Sequence, residues 1–339
     1  TAVSSAPVKP DLIVWSETSL VYGYDQFKDF YGRLPRPETF LNFLKRMDIP
    51  LLVGSPLAQD ISKDAYSNSV YLLNPDGDIL DTYSKIQLVC FAEYIPFIEH
   101  PIVQKFFDSL VGFSSGWTPG TEYKTLGLPL QNGGHIRFAA PICFEDAFPA
   151  LCAHLHNQGS ELLINLTNDS WSKTASAEYQ HFAIAYFRAL ELRTPLIRAT
   201  NGGYTAVIDP VGTILADLPL FTAASVSVSI PLYGHRQTFY SRWKDWLPSC
   251  FLLGCLALMI AYRLNPSFSR QPVVYRTAPL ACLAAEEKRQ ARQRKLQKKI
   301  RFRKHRAAKK QPVSPVKAVR QAVYHHNALN YSNTHSLRR

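Results

Sequence analysis

The 339-residue chain has no initiator methionine and no charged-then-apolar leader at its start, and so reads as a processed or truncated piece of a longer protein. Its six cysteines, Cys90, Cys143, Cys152, Cys250, Cys255 and Cys282, lack the paired spacing of a zinc site and the density of a small disulfide scaffold. That leaves them no structural role as a set. No stretch rich in glycine, serine or proline splits residues 10–230, which argues for one domain there. Acidic residues almost vanish late in the chain: from Arg263 onward there are 2, against 20 basic ones. The earlier part holds 24 acidic and 18 basic residues, a net of −6, so the formal +12 comes wholly from the tail. The high isoelectric point therefore describes an appendage and says little about the body.

Within the body, strand-like and helix-like segments alternate. The apolar run 11–17 reads as a buried strand delivering Glu17 at its end. A helix is expected over 37–47 and a strand over 50–54. Two strand-like runs over 69–85 flank an Asn74-Pro75-Asp76-Gly77 turn, and this hairpin ends on Lys85. A strand over 135–140 leads to a break at Pro141, then Cys143, then a helix over 148–157 stopped by Gly159. Residues 161–167 form another strand and 177–192 a helix. Strands near 196–200 and 204–208 and a second turn, Asp209-Pro210-Val211-Gly212, complete an α/β pattern.

Residues 247–262 carry no formal charge, and as a helix they span roughly 24 Å against a hydrocarbon core of roughly 30 Å. Trp243 and Trp246 on one side, and Tyr262 and Arg263 on the other, supply interfacial anchors. The expectation is a transmembrane helix over 244–263; the alternative is a buried C-terminal helix. The basic run 286–310 is helix-competent, and beside a membrane helix it fixes topology and binds anionic lipid, the alternative being a solvated tail. On this reading the tail is cytoplasmic and the α/β domain lies on the opposite face.

A cysteine transfers acyl groups as its thiolate, so it needs a base for its proton and a cation or donors for the developing oxyanion. Glu17, Lys85 and Cys143 offer those functions, each at the end of an expected strand. Singly, each is more often inert or solvated. The surrounding words are more specific. Trp15-Ser16-Glu17, Tyr83-Ser84-Lys85-Ile86-Gln87-Leu88-Val89 and Ile142-Cys143-Phe144-Glu145-Asp146 resemble the three catalytic segments of the nitrilase (carbon-nitrogen hydrolase) superfamily. The branch is marked by Phe91-Ala92-Glu93-Tyr94-Ile95-Pro96, Asn168-Asp169-Ser170-Trp171, Gln180-His181-Phe182, the segment from Arg188 to Arg193, and the segment from Pro195 to Gly203. These resemble the signatures of the apolipoprotein N-acyltransferase family.

The resemblance implies an α/β fold, a nitrilase-like four-layer αββα sandwich, carrying a C-terminal transmembrane helix and a basic disordered or helical tail. The domains would be a catalytic domain over 1–235, the membrane helix over 244–263 and a basic cytoplasmic tail over 264–339. It further implies acyl transfer from a phospholipid, through a thioester on Cys143, to the α-amine of the N-terminal S-diacylglyceryl-cysteine of an apolipoprotein. Glu17 would be the general base, and Lys85 would stabilise the oxyanions. Glu93 and Glu145 would orient Lys85 and the nucleophile. The implied partners are the phospholipid donor, the diacylglyceryl-modified apolipoprotein and the membrane, with no nucleic acid, cofactor or metal. The implied location is a bacterial inner membrane with the catalytic domain on the periplasmic side, and a multi-helix membrane domain is expected upstream of residue 1. Trp171 and His181 match family words but receive no chemistry, and His154 and His156 face apart on their helix, a poor metal pair. The family usually has Pro at Ser16, Pro at Cys90, Gly at Ala92 and Tyr at Phe144. The last change removes a hydroxyl beside the nucleophile, and the Gly-to-Ala change stiffens a loop.

Two other readings share parts of this pattern. A soluble nitrilase-type amidase would use the same triad with water as second nucleophile, but needs neither the apolar segment nor the Phe-x-Glu-Tyr-x-Pro word. A basic-tailed binding protein with an inactive catalytic domain draws on the +18 tail.

Overall fold

The computed structural model describes residues 8–33, 38–98, 100–105, 116–264 and 280–308. Parts of the tail, residues 265–279 and 309–339, lie outside the described residues, as do residues 1–7. The chain divides into two compact units, residues 1–257 and 258–339.

The first unit is an α/β domain with two sheets. One has the order β1-β2-β3-β4, from β1 (Ile13–Val14), β2 (Leu51–Asp60), β3 (Ala65–Leu73) and β4 (Ile79–Ser84). The other has the order β10-β9-β8-β7-β6-β5, from β5 (Leu126–Pro129), β6 (His135–Ala139), β7 (Leu162–Asn168), β8 (Leu196–Asn201), β9 (Ala206–Ile208) and β10 (Ile214–Asp217). β1 runs parallel to β2, and β6, β7 and β8 are mutually parallel; the other pairs are antiparallel.

Residues of β2 and β3 are buried on both faces, which period-2 alternation turns into two separate cores. Leu52, Val70 and Leu72 face a cluster shared with Phe138, Leu163, Ile164 and Leu166 of the second sheet. Leu51, Val53, Tyr71 and Leu73 face the other way, with Tyr24, Tyr31 and Leu44 of α1 (Tyr24–Arg33) and α2 (Phe40–Met47). The first helix was not expected from the sequence. Its residues Tyr24-Asp25-Gln26-Phe27-Lys28-Asp29-Phe30-Tyr31 give only a weak apolar stripe, and tertiary packing of the aromatics fixes it. α2 begins where Thr39 accepts the Asn42 amide at 3.1 Å, and ends at Asp48 in the left-handed region. α3 (Pro149–Asn157) and α4 (Ala175–Leu192) add Leu151, Leu155, Ala185 and Ala189 to the cluster of the second sheet.

Strand lengths differ from expectation at both ends. β1 is only two residues long, yet Trp15 N–H still donates to Leu52 carbonyl at 2.9 Å and Gly54 N–H to Ser16 carbonyl at 3.4 Å. Glu17 therefore leaves the sheet edge on an extension of β1. The Asn74 to Asp78 turn forms as read, closed by Asn74 N–H to Asp78 carbonyl at 2.9 Å with Gly77 at φ +79°. β5 was not foreseen; its Leu126-Gly127-Leu128-Pro129 is too short and glycine-broken to signal a strand.

After α5 (Phe239–Trp243) comes α6 (Trp246–Leu264), 19 residues with a mean hydropathy of 1.8, none buried, long and apolar enough to cross a membrane. Among the described residues nothing buries it, against the alternative of a buried C-terminal helix. The basic run is helical within α7 (Leu280–Ala308).

Gly54 is where the fold touches the site. A Cβ there would lie 2.4 Å from the Thr18 nitrogen and 2.7 Å from the Glu17 Cα. Gly54→Ala is expected to cost about 1–3 kcal/mol and to push Glu17 out of position. A lowered thermal unfolding midpoint together with slowed modification of Cys143 checks this; an unchanged midpoint contradicts it.

Candidate active site

The candidate residues meet where chain segments leave the carboxyl ends of β1, β6 and β7 and the end of β4. Cys143 follows the break at Pro141 and opens a 3-10 turn, Cys143–Ala147, with its own φ at +50°. A left-handed conformation at a non-glycine residue stores strain, and surrounding bonds must hold it. The Asn165 side chain of β7 does so by donating to the carbonyls of Pro141 at 3.1 Å and Cys143 at 3.0 Å.

Glu17 is buried, and its carboxyl interacts with the nearby Cys143 thiol. Its Oε1 accepts from Asn68 Nδ2 at 2.6 Å and lies 4.0 Å from Lys85 Nζ; its Oε2 accepts the Asn168 backbone N–H at 2.7 Å. Lys85, fully buried just past β4, donates to Glu93 Oε1 at 2.7 Å. Glu93 also accepts the Val89 N–H at 2.8 Å, which folds residues 89–93 back over the lysine. Glu17, Lys85, Cys143 and Glu93, far apart in sequence, thus form one cluster.

The electrostatics follow from this packing. Burial raises the Glu17 carboxyl above its ordinary range, with Lys85 and Asn68 pulling it back. Burial pushes the Cys143 thiol well up, the Glu17 charge adds to this, and Lys85 opposes it. Burial pulls the Lys85 ammonium down, but the Cys143 sulfur whenever it is ionised, together with the charges of Glu17 and Glu93, outweighs this and leaves it raised. Burial and the Glu17 charge thus favour the protonated sulfur of Cys143 over a preformed thiolate.

Glu145 serves differently from Glu93. It is fully buried and none of its hydrogen-bond donors is Lys85: Oε1 accepts from Ile86 N–H at 2.7 Å and Gln87 N–H at 3.0 Å, Oε2 from Ile142 N–H at 2.8 Å, and the Tyr83 hydroxyl donates to both. This carboxylate bolts the turn carrying the thiol to the segment after Lys85. Burial pushes it up to about 7, against the backbone donors of Ile142, Gln87 and Ile86. Every one of these partners donates, so the charged form is the one that satisfies them.

Sequence reasoning passed over polar residues packed around Glu17, Lys85 and Cys143: Asn68, Asn165, Asp146, Asp169 and Arg198. All but Asn68 and Asn165 lay within the quoted words, but neutral amides and ordinary ion pairs give no signal until the fold brings them together. His181, assigned no chemistry, is buried between Asp146 and Asp169. Trp171 is three-quarters exposed. His154 meets Lys244 and His156 the Arg236 carbonyl, and among the described residues no group of three or more His, Cys, Asp or Glu is placed to hold a metal ion.

A half-buried cysteine beside a buried glutamate and lysine, where segments from both sheets meet, is an arrangement suited to cysteine chemistry. The family model described as carbon-nitrogen hydrolase matches residues 2–238, and the chain belongs to that family. It is 60% identical over 252 residues to apolipoprotein N-acyltransferase 2 of Treponema denticola, covering 74% of this chain and 47% of that protein. It is 52% identical over 248 residues to apolipoprotein N-acyltransferase 2 of Treponema pallidum (73% and 44%), and 37% identical over 238 residues to the apolipoprotein N-acyltransferase of Borreliella burgdorferi (70% and 44%). The chain spans less than half the length of these curated relatives. Among solved structures, a carbon-nitrogen hydrolase from Helicobacter pylori G27 is similar at 18% identity and a TM-score of 0.45, over 64% of this chain and 76% of that one.

Glu145→Gln places an NH2 group against backbone donors. The expected result is a loss of about 1–3 kcal/mol in stability and a slower reaction at Cys143. Thermal unfolding and mass-mapped modification of Cys143 measure both; a variant matching the wild type in both contradicts the bracing role of Glu145.

Proposed function

We propose that this chain is the catalytic part of an apolipoprotein N-acyltransferase working through a thioester on Cys143. The observation that carries the reading is the Cys143 thiol close to the buried Glu17 carboxyl and Lys85 ammonium, in a chain whose relatives bear that name. Glu17 takes the thiol proton as sulfur attacks the ester carbonyl of a phospholipid. The C–S bond forms, Lys85 holds the oxyanion, and collapse breaks the C–O bond while Glu17 returns the proton to the departing lysophospholipid. The α-amine of a diacylglyceryl-cysteine then attacks the thioester, Glu17 removes its proton, and the C–S bond breaks to release an amide while Glu17 passes the proton to the departing Cys143 sulfur. Glu93 fixes the Lys85 ammonium, and Glu145 fixes the turn of the nucleophile.

Several features favour a lipid donor over the small substrate of a soluble amidase. A groove of 440 Å³ is lined mostly by apolar groups, among them Val21, Phe27, Pro56, Ala92 and Trp117, with Asp64 also in its wall, and the apolar part suits an acyl chain. Phe97 and Trp171, on the segments after Glu93 and Asn168, are 82% and 75% exposed. α6 is apolar enough to anchor the enzyme. A charge cluster this completely paired also argues against a decayed, merely binding domain.

The finer architecture follows the same reading: a four-layer αββα sandwich over 1–235, a membrane helix over 244–263 and a basic tail over 264–339. The enzyme would sit in a bacterial inner membrane with the catalytic domain periplasmic and the tail cytoplasmic, alongside an upstream membrane domain.

Intact-mass analysis after incubation of the full chain with phosphatidylethanolamine in mixed micelles tests the reading. The expected result is one acyl adduct on Cys143 that hydroxylamine removes, absent in Cys143→Ala and formed roughly 100-fold or more slowly in Glu17→Gln. An adduct that persists in Cys143→Ala, or none in the wild type, overturns it.

A further inference from the structure

Beneath the nucleophile lies a second buried charge cluster that the reaction above does not use. His181 of α4 lies with Nε2 2.9 Å from Asp146 Oδ1 and Nδ1 2.8 Å from Asp169 Oδ1. Arg198 of β8, fully buried, reaches the second oxygens of the same two carboxylates, with Nε 3.5 Å from Asp146 Oδ2 and Nη2 3.1 Å from Asp169 Oδ2. It also donates to the Tyr204 carbonyl at 3.3 Å. Two cations thus bridge two carboxylates.

The positions of those carboxylates matter. Asp146 sits in the turn that Cys143 opens, three residues after the thiol. Asp169 follows Asn168, the residue whose N–H holds Glu17 Oε2. Each carboxylate therefore anchors a segment that fixes one member of the thiol and carboxylate pair, and the cations tie the two segments together.

Both ring nitrogens of His181 face carboxylate oxygens at hydrogen-bond distance, and a neutral imidazole has only one N–H. In the neutral form one ring lone pair would point at a carboxylate oxygen. With both carboxylates charged, the doubly protonated ring is the form that satisfies the geometry. We infer that the His181 imidazolium, with Arg198, is a positioning group that sets the Cys143 thiol against Glu17 by clamping Asp146 to Asp169. The inference rests on the reading of Cys143 as nucleophile.

The surrounding charges set where the clamp opens. Burial pulls the His181 ring down, the hydrogen bonds to Asp146 and Asp169 outweigh it, and Arg198 opposes them, leaving the ring lifted to about 9. Glu178, on the same helix, accepts the Ser172 hydroxyl, and burial and the Asp169 charge raise its carboxyl. Phe144 contributes only its ring, 5.3 Å from that of His181. A pKa raised above the ordinary histidine value means that the stabilisation is complete below about 6.5 and is lost as pH rises through about 9.

The test uses the full chain in detergent micelles, with two readouts. Nitrogen-15 spectra of labelled histidine report the state of the ring without any substrate. The rate of Cys143 acylation by p-nitrophenyl butyrate, followed from pH 6 to 10 with the adduct located by mass, reports the thiol and carboxylate pair. The expected results are a doubly protonated His181 at pH 8 and a His181→Gln variant roughly tenfold slower than wild type at pH 7.5. The two rates should converge above about pH 9, where the wild type has itself lost the imidazolium. Asp169→Asn, which keeps the shape, should move the wild-type alkaline fall about 1–2 pH units lower, and it decides the matter should His181→Gln not fold. A neutral ring at pH 8, or rate profiles that stay parallel to pH 10 with no shift in Asp169→Asn, overturns the clamp. A wild type with a protonated ring but no acylation at any pH overturns the nucleophile reading and the inference built on it.

Discussion

The site depends on keeping the Glu17 carboxylate charged while it is buried against a thiol. At 4.0 Å, the Lys85 ammonium attracts it by about 4 kcal/mol at an effective dielectric of about 20. Removing each ion from water costs several kcal/mol, so that attraction alone does not hold the pair inside the domain. The deficit explains the rest of the cluster: Glu93 against Lys85, the Asn68 amide on Glu17, and the Asn168 backbone N–H on its second oxygen. Removing any one of these leaves a buried charge short of a partner, a large loss.

Chemistry of this kind needs the thiol and its base held to a fraction of an ångström, although they arrive on different sheets. The fold meets this with buried carboxylates that act as cross-links. Glu145 ties the turn of Cys143 to the segment after Lys85, and Asp146 and Asp169, bridged by His181 and Arg198, tie that turn to the end of β7. A left-handed cysteine on a 3-10 turn is sustained by these bonds together with Asn165. Across the first sheet, alternation of Leu51 with Leu52 and of Tyr71 with Leu72 places a packed layer on each side, so the strand ends have little room to drift.

Much of this was legible in the residues. Apolar runs such as 161–167 announced strands, the Asn74 to Gly77 turn announced its hairpin, and Glu17, Lys85, Cys143 and Glu93 lie in one cluster. The losses have physical causes. α1 is an aromatic-rich helix fixed by packing against Tyr71 and Leu73, and β5 is a four-residue strand that depends on its partner β6. The bracing amides and the quartet around His181 are long-range polar contacts, and nothing in local pattern or spacing foretells which donor will meet which carboxylate. The resting protonation of Cys143 was also hidden, because it depends on burial and on the nearness of a second negative charge.

The claim that everything else serves is that Cys143 waits as a thiol whose proton belongs to a shared unit with Glu17. Thiolate absorbance near 240 nm, taken as the difference between wild type and Cys143→Ala across the pH range, reads this directly. The account predicts no Cys143 thiolate at neutral pH in the wild type, and its appearance at lower pH once Glu17→Gln removes the opposing negative charge and leaves Lys85 in place. A full thiolate signal at neutral pH, unmoved by Glu17→Gln, would contradict it.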